Sequence, residues 1–136
     1  MVPFSFDPNR FNDPTNGVFN LEQELELSSD PNDAGAEILV GPTGQFVYGS
    51  SRGTGVVVVY QLMDDNTLIK IQEYSLAGTW PRSMAIRDNQ LVVIDQHGDS
   101  LQLLEIDPAT GKININGDPD IVVSTPAGPS FVDFME

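Results

Sequence analysis

Apolar residues in this chain come in short runs rich in valine and isoleucine, each closed off by glycine, proline, asparagine or aspartate. Helical spacing is nearly absent, and 10 prolines and 12 glycines in 136 residues interrupt the chain too often for long helices. The pattern predicts strands joined by turns. A first strand pattern runs from Val18 to Leu27 and is followed by the loop Ser28 to Asp33. Four strands then come in series, at Ala36–Val40, Gln45–Ser50, Val56–Leu62 and Thr67–Tyr74. The intervening turns, Gly41-Pro42-Thr43-Gly44, Arg52-Gly53-Thr54-Gly55 and Asp64-Asp65-Asn66, are as short as antiparallel hairpins require.

The series then repeats. Strands are expected at Ser83–Ile86, Gln90–Asp95, Leu101–Asp107 and Lys112–Ile115, with a further one near Ile121–Ser124. Sliding the chain by 45 positions (90 minus 45) sets Gln45-Phe46-Val47-Tyr48 on Gln90-Leu91-Val92-Val93 without a gap. The same shift puts Gly53 on Gly98, Val56–Val59 on Leu101–Leu104, and Leu68 on Ile113. A repeat of this length holding four short strands has the form of a propeller blade. Val56–Val59 shows no polar alternation, so both faces of that strand should be covered, as in a blade's middle strands. A small two-sheet sandwich would also explain that run.

The fold expected is therefore all-β, a partial β-propeller with two complete four-stranded antiparallel blades and flanking strands. Residues 1–17 read as an irregular lead-in and 18–35 as the outer strand and loop of a preceding blade. Residues 36–80 and 81–124 form the two blades, and 125–136 supply the inner strand of a further one, centred on Phe131-Val132-Asp133-Phe134. Propellers close with ~4–8 blades. Two blades leave faces to be covered by the missing blades of a longer chain or by self-association.

Composition narrows the function. Six basic residues against 20 acidic give a formal net charge of −14, which repels phosphate backbones and anionic lipid. Nucleic acid and membrane are thus poor partners, and any anionic ligand needs the few arginines gathered in one place. The chain has no cysteine, which removes disulfides, thiolate zinc sites and a Cys nucleophile, and fits the cytoplasm. With a single histidine, zinc lacks its usual ligands. Asp30-Pro31-Asn32-Asp33-Ala34-Gly35 resembles a calcium loop only faintly, with Ala34 at the fifth position and Gly41 where a bidentate Glu belongs. No metal is expected.

Several motifs occur in an order that resembles one family. Glu37-Ile38, then Gly41-Pro42-Thr43-Gly44-Gln45-Phe46-Val47-Tyr48 and Ser50-Ser51-Arg52-Gly53, resembles a blade of the seven-bladed lactonase propellers. That family includes 6-phosphogluconolactonases and fungal carboxy-cis,cis-muconate cyclases. Gly78-Thr79-Trp80-Pro81-Arg82, Asp95-Gln96 with Ser100, and Glu105-Ile106-Asp107-Pro108-Ala109-Thr110-Gly111-Lys112 continue the likeness through the next blade. Trp80 leans toward the cyclase-like branch. Asp95, where Asn is commoner, and Gly49 depart from the pattern. Nothing in residues 1–33 matches the earlier blades, which supply an active-site histidine.

Five residues are candidates for chemistry. Glu37 opens an innermost strand, where a desolvated carboxylate can serve as general base or acid; the alternative is a strand-end Glu in solvent. Arg52 sits in a glycine turn, and its planar fork suits a carboxylate or phosphate. The resemblance implies that this arginine grips an anionic substrate. Arg82 would complete a local positive well, unless it pairs with a nearby Asp. His97 falls where Arg52 lies in the internal repeat and could donate to substrate or shuttle a proton, or simply occupy an exposed turn. Gln96 resembles the family's glutamine and could bond ligand or backbone. The resemblance implies a lactonase or cycloisomerase acting on a small anionic lactone or muconate-like acid, without metal or organic cofactor. The rival expectation is a non-catalytic propeller segment used for binding or assembly.

Overall fold

The computed structural model describes residues 4–6, 19–21, 25–27, 30, 32–114 and 121–135. A short pair, β1 (Phe4–Phe6) and β2 (Phe19–Leu21), is antiparallel. β1 falls within the stretch read as an irregular lead-in. Next come β3 (Ala34–Val40), β4 (Phe46–Arg52), β5 (Val56–Leu62) and β6 (Leu68–Ser75), which form one antiparallel sheet in chain order. A second sheet contains β7 (Pro81–Arg87), β8 (Gln90–Asp95), β9 (Ser100–Glu105) and β10 (Ile121–Ser124), again in chain order. Each of these sheets is a meander whose first strand lies at one edge. The two first strands, β3 and β7, touch each other. This is how neighbouring propeller blades meet, with inner strands converging on an axis. No helix among the described residues is long and apolar enough to cross a membrane.

The unbroken apolar runs fold as their pattern demands. Phe46–Ser50 and Val56–Tyr60 are buried along their whole length. One face of β4 and β5 joins the core between the sheets, where Phe46, Tyr48, Val57 and Val59 pack with Met84, Leu91, Val93 and Leu104. The other face, including Val47, Val56, Val58 and Tyr60, is covered by Leu25, Leu27 and Leu68. Outer strand β6, which carries Lys70, Gln72, Glu73 and Ser75, stays half in water.

Polar groups lock the two sheets in register. The Tyr48 hydroxyl donates to the Gly111 carbonyl at 2.8 Å. Gln72 on β6 acts as a strand of one residue: Nε2 donates to Ile113 O at 2.9 Å and Oε1 accepts from Ile113 N at 2.7 Å. This pairing explains one departure from expectation. Lys112–Ile115 was expected to be the fourth strand of the second blade, but Ile113 makes only an isolated bridge to Ile106, and Ile115 lies outside the described residues. Ile113 spends its backbone groups on Gln72, and Asn114 turns to a positive φ of 47°. The chain thus leaves the ladder, and Ile121–Ser124 takes the edge beside β9 instead.

The segment expected as the inner strand of a further blade, Phe131–Phe134, forms no ladder among the described residues. It runs beside β7: Val132 N donates to Ser83 Oγ at 3.3 Å, and the Arg87 guanidinium lies 4.5 Å from the Phe134 ring.

Candidate functional site

The antiparallel order carries the β4–β5 turn, the β6–β7 connection and the β8–β9 turn to the same end of the two sheets. Arg52, Trp80, Gln96 and His97 therefore come together although they belong to different loops. Arg52 closes β4, and its Nη2 donates to Gly35 O at 3.0 Å. Its guanidinium carbon lies 5.7 Å from the Trp80 ring centroid, within cation–π range. The His97 ring stacks on the same indole, with centroids 4.4 Å apart and planes 15° apart. Arg52 Nε is shielded from water and has no hydrogen-bond partner among the described residues.

The loops holding these side chains are tied together through their backbones. Gly53 N donates to Thr79 O at 2.8 Å, and Leu76 N to Gly55 O at 2.9 Å, joining the β4–β5 turn to the connection between the sheets. Asp33 secures the far side of that turn, taking hydrogen bonds from Thr54 N at 3.2 Å and from the Thr54 hydroxyl. Buried Asp95 accepts from Trp80 N at 3.1 Å. Its carboxylate fills the space beside Gly78 and Gly98, where a Cβ on either would collide with Oδ2. Gln96 N donates to Trp80 O at 3.1 Å. Gln96 thus contributes a backbone bond that holds the tryptophan.

Glu37 is half-buried on β3, two residues beyond the carbonyl that holds Arg52. A register shift between Gly35 and Ile38 aims it across the seam. Its Oε2 accepts from Met84 N on β7 at 2.6 Å, and its own amide donates to Ser50 Oγ at 3.2 Å. The carboxylate is thus fixed by the neighbouring sheet, at the seam between β3 and β7. Arg82 is exposed on the irregularity between Pro81 and Ser83, and no contact joins it to the stack among the described residues. Three contributors escaped the sequence: Trp80 as a ring contact, Asp95 as its backbone anchor, and Asp33 as the clasp of the arginine turn. Trp80 carried a signal as the single tryptophan in a Gly-Thr-Trp-Pro-Arg loop, and Asp95 as part of the Asp95-Gln96 motif.

The described hollows lie elsewhere. One of about 570 Å³ is lined by Asp88, Gln90, Leu103 and Glu105, at the opposite end of the second sheet. Its carboxylates are wrongly charged for an anion, and it holds no cationic side chain. The Arg52 end gathers a guanidinium, an indole and an imidazole and is the candidate site.

Comparison with known proteins agrees with this architecture. A family model described as "Lactonase, 7-bladed beta-propeller" matches residues 10–131. The chain is 29% identical over 108 residues to the 6-phosphogluconolactonase of Bacillus subtilis (strain 168), covering 75% of this chain and 31% of that protein. It therefore spans about a third of the length of the curated relatives it matches, 31% in each of two. A crystal structure of a Lactobacillus plantarum protein superposes with a TM-score of 0.83 at 24% identity, over 99% of this chain and 38% of that one. The periplasmic gluconolactonase of Pseudomonas aeruginosa gives 0.77 at 20% identity, over 95% and 34%. These structural likenesses carry the fold, and they set aside the sandwich alternative. With most of its length matched and its two sheets arranged as adjacent blades, the chain belongs to the seven-bladed β-propeller lactonase family.

Proposed function

We propose that this chain forms part of the active site of a lactonase that opens a small anionic sugar lactone, 6-phosphogluconolactone being the first candidate. The observation that carries the reading is Arg52, a cation in a strongly acidic protein, held by Gly35 O and the Trp80 ring at the loop end of the seam. A guanidinium fixed in this way suits a phosphate or carboxylate. In the reading proposed, Arg52 grips the anion, and Arg82, Gln96 and His97 add donors around it. Glu37 moves the proton: Met84 N–H orients Oε2, and Oε1 is assigned as the base. Water loses a proton to Glu37 as its oxygen bonds to the ring carbonyl carbon. The ring C–O bond then breaks, and the proton passes to the departing ring oxygen, leaving a hydroxyl and a carboxylic acid that releases its own proton to solvent. No metal or organic cofactor takes part. Cyclisation of a carboxymuconate needs the same anion clamp and proton carrier and is kept as the companion reaction. We place the protein in the cytoplasm, and assign the open blade faces to further blades or to other copies of the chain.

The test is turnover of 6-phosphogluconolactone and of carboxymuconate by the full-length protein and its Arg52→Ala variant. Arg52→Ala should lower kcat/KM by about 30-fold or more, the cost of removing one partner from a desolvated charge pair. Unchanged turnover of every accepted substrate would remove the clamp. A second reading is a propeller segment that binds or assembles without turnover. It predicts anion binding without any product.

A further inference from the structure

Trp80 is the chain's single indole and sits in the connection between the two sheets. Its backbone is tied at both ends, N to Asp95 Oδ1 at 3.1 Å and O to Gln96 N at 3.1 Å. Thr79 O, one residue earlier, accepts from Gly53 N at 2.8 Å, beside Arg52 itself. The ring thus projects from one of the most firmly held stretches of the loop end. It meets Arg52 at 5.7 Å and stacks on His97 at 4.4 Å.

A free arginine side chain loses much rotamer freedom when it closes on a ligand. A rigid aromatic surface beside the guanidinium imposes that order beforehand, so binding does not have to supply it. Removing the ring takes away one of two supports of Arg52, leaving the Gly35 carbonyl, together with the surface on which His97 stacks. We propose that Trp80 is the positioning residue of this site: it holds the Arg52 guanidinium, and the His97 imidazole with it, in the arrangement that receives the anionic group of the substrate. The proposal deepens the reading of Arg52 as an anion clamp and rests on it.

The experiment is a calorimetric titration with 6-phosphogluconate, at fixed pH and ionic strength, of the native protein and the Arg52→Ala, Trp80→Phe and Trp80→Ala variants. Trp80→Ala should weaken binding by about 5- to 30-fold, the range of a desolvated cation–π contact, and Trp80→Phe should return it to within about 3-fold of native. Arg52→Ala should show no measurable binding, and native tryptophan fluorescence should change on titration. If Trp80→Ala binds as the native protein does while Arg52→Ala does not, the positioning role is refuted and the clamp stands. Equal weakening in Trp80→Ala and Trp80→Phe refutes it too, since it points to lost packing. Native affinity in Arg52→Ala, or no binding by the native protein, overturns both. Should Trp80→Ala lose its sheet signal in circular dichroism, the Arg52 Nε–H proton resonance of the native protein decides. A resonance shifted by the indole ring, and less shifted in Trp80→Phe, supports the proposal; one at the unstructured position overturns it.

Discussion

Tyr48 shows how much of the fold rests on single polar contacts. Its ring is buried in the core between the sheets, and its hydroxyl reaches the Gly111 carbonyl. Burial disfavours the phenolate and pushes its pKa from 10.0 up to about 12. The folded value exceeds the unfolded one, so the neutral ring's contribution is complete below pH 10.0 and is lost as pH rises toward about 12. Urea denaturation should therefore give a stability that falls across that window. Tyr48→Phe should flatten the fall and lower stability at neutral pH by about 1–2 kcal/mol, because the Gly111 carbonyl loses its donor. Part of the slope should survive, since burial also raises Tyr60. Gly111 itself, at φ 70°, lies against the Phe46 ring where a methyl group has no room. Gly111→Ala should cost about 2–4 kcal/mol in the same assay, from left-handed backbone strain and overpacking together.

At the scale of elements, strands were legible where burial on both faces wrote an unbroken apolar run. Val56–Leu62 and Gln90–Asp95 have the bounds expected of them, because hairpin turns rich in Gly, Asn and Asp mark their ends. The fourth strand of the second blade was not legible. Its place was decided by Gln72, 41 residues from Ile113, whose amide captures that backbone. No local pattern announces such a contact. Gln72→Ala should strand both backbone groups of a buried residue and cost about 2–4 kcal/mol by urea denaturation. Gln72→Glu should not rescue it, as a carboxylate offers Ile113 O no donor. Asp33 makes the same point at the site. Its bonds to Thr54 hold the turn next to Arg52, so Asp33→Ala should speed hydrogen exchange at Thr54 while leaving β8 protected. The sequence displayed arginine and turn but not the clasp, because Asp33 and Thr54 meet only once β3 and β4 pair.

For the whole molecule, the two blades act as a frame with two unlike ends. At one, three loops gather Arg52, Trp80 and His97 over a seam bridged by Glu37 and Met84. Away from it, one open hollow is lined by Asp88 and Glu105 and another by Thr110 and Lys112. The described hollows and the Arg52 cluster thus lie apart, and in a chain of net charge −14 the reading proposed takes a small anion to the cluster. The most direct test is a map of nuclear magnetic resonance shifts on titrating isotope-labelled protein with 6-phosphogluconate. Changes are expected at the Arg52 Nε–H, the Trp80 indole N–H, Gly53 and His97, with Asp88, Gln90 and Leu103 silent. Shifts gathered around Asp88 and Leu103, with the indole unmoved, would contradict that reading.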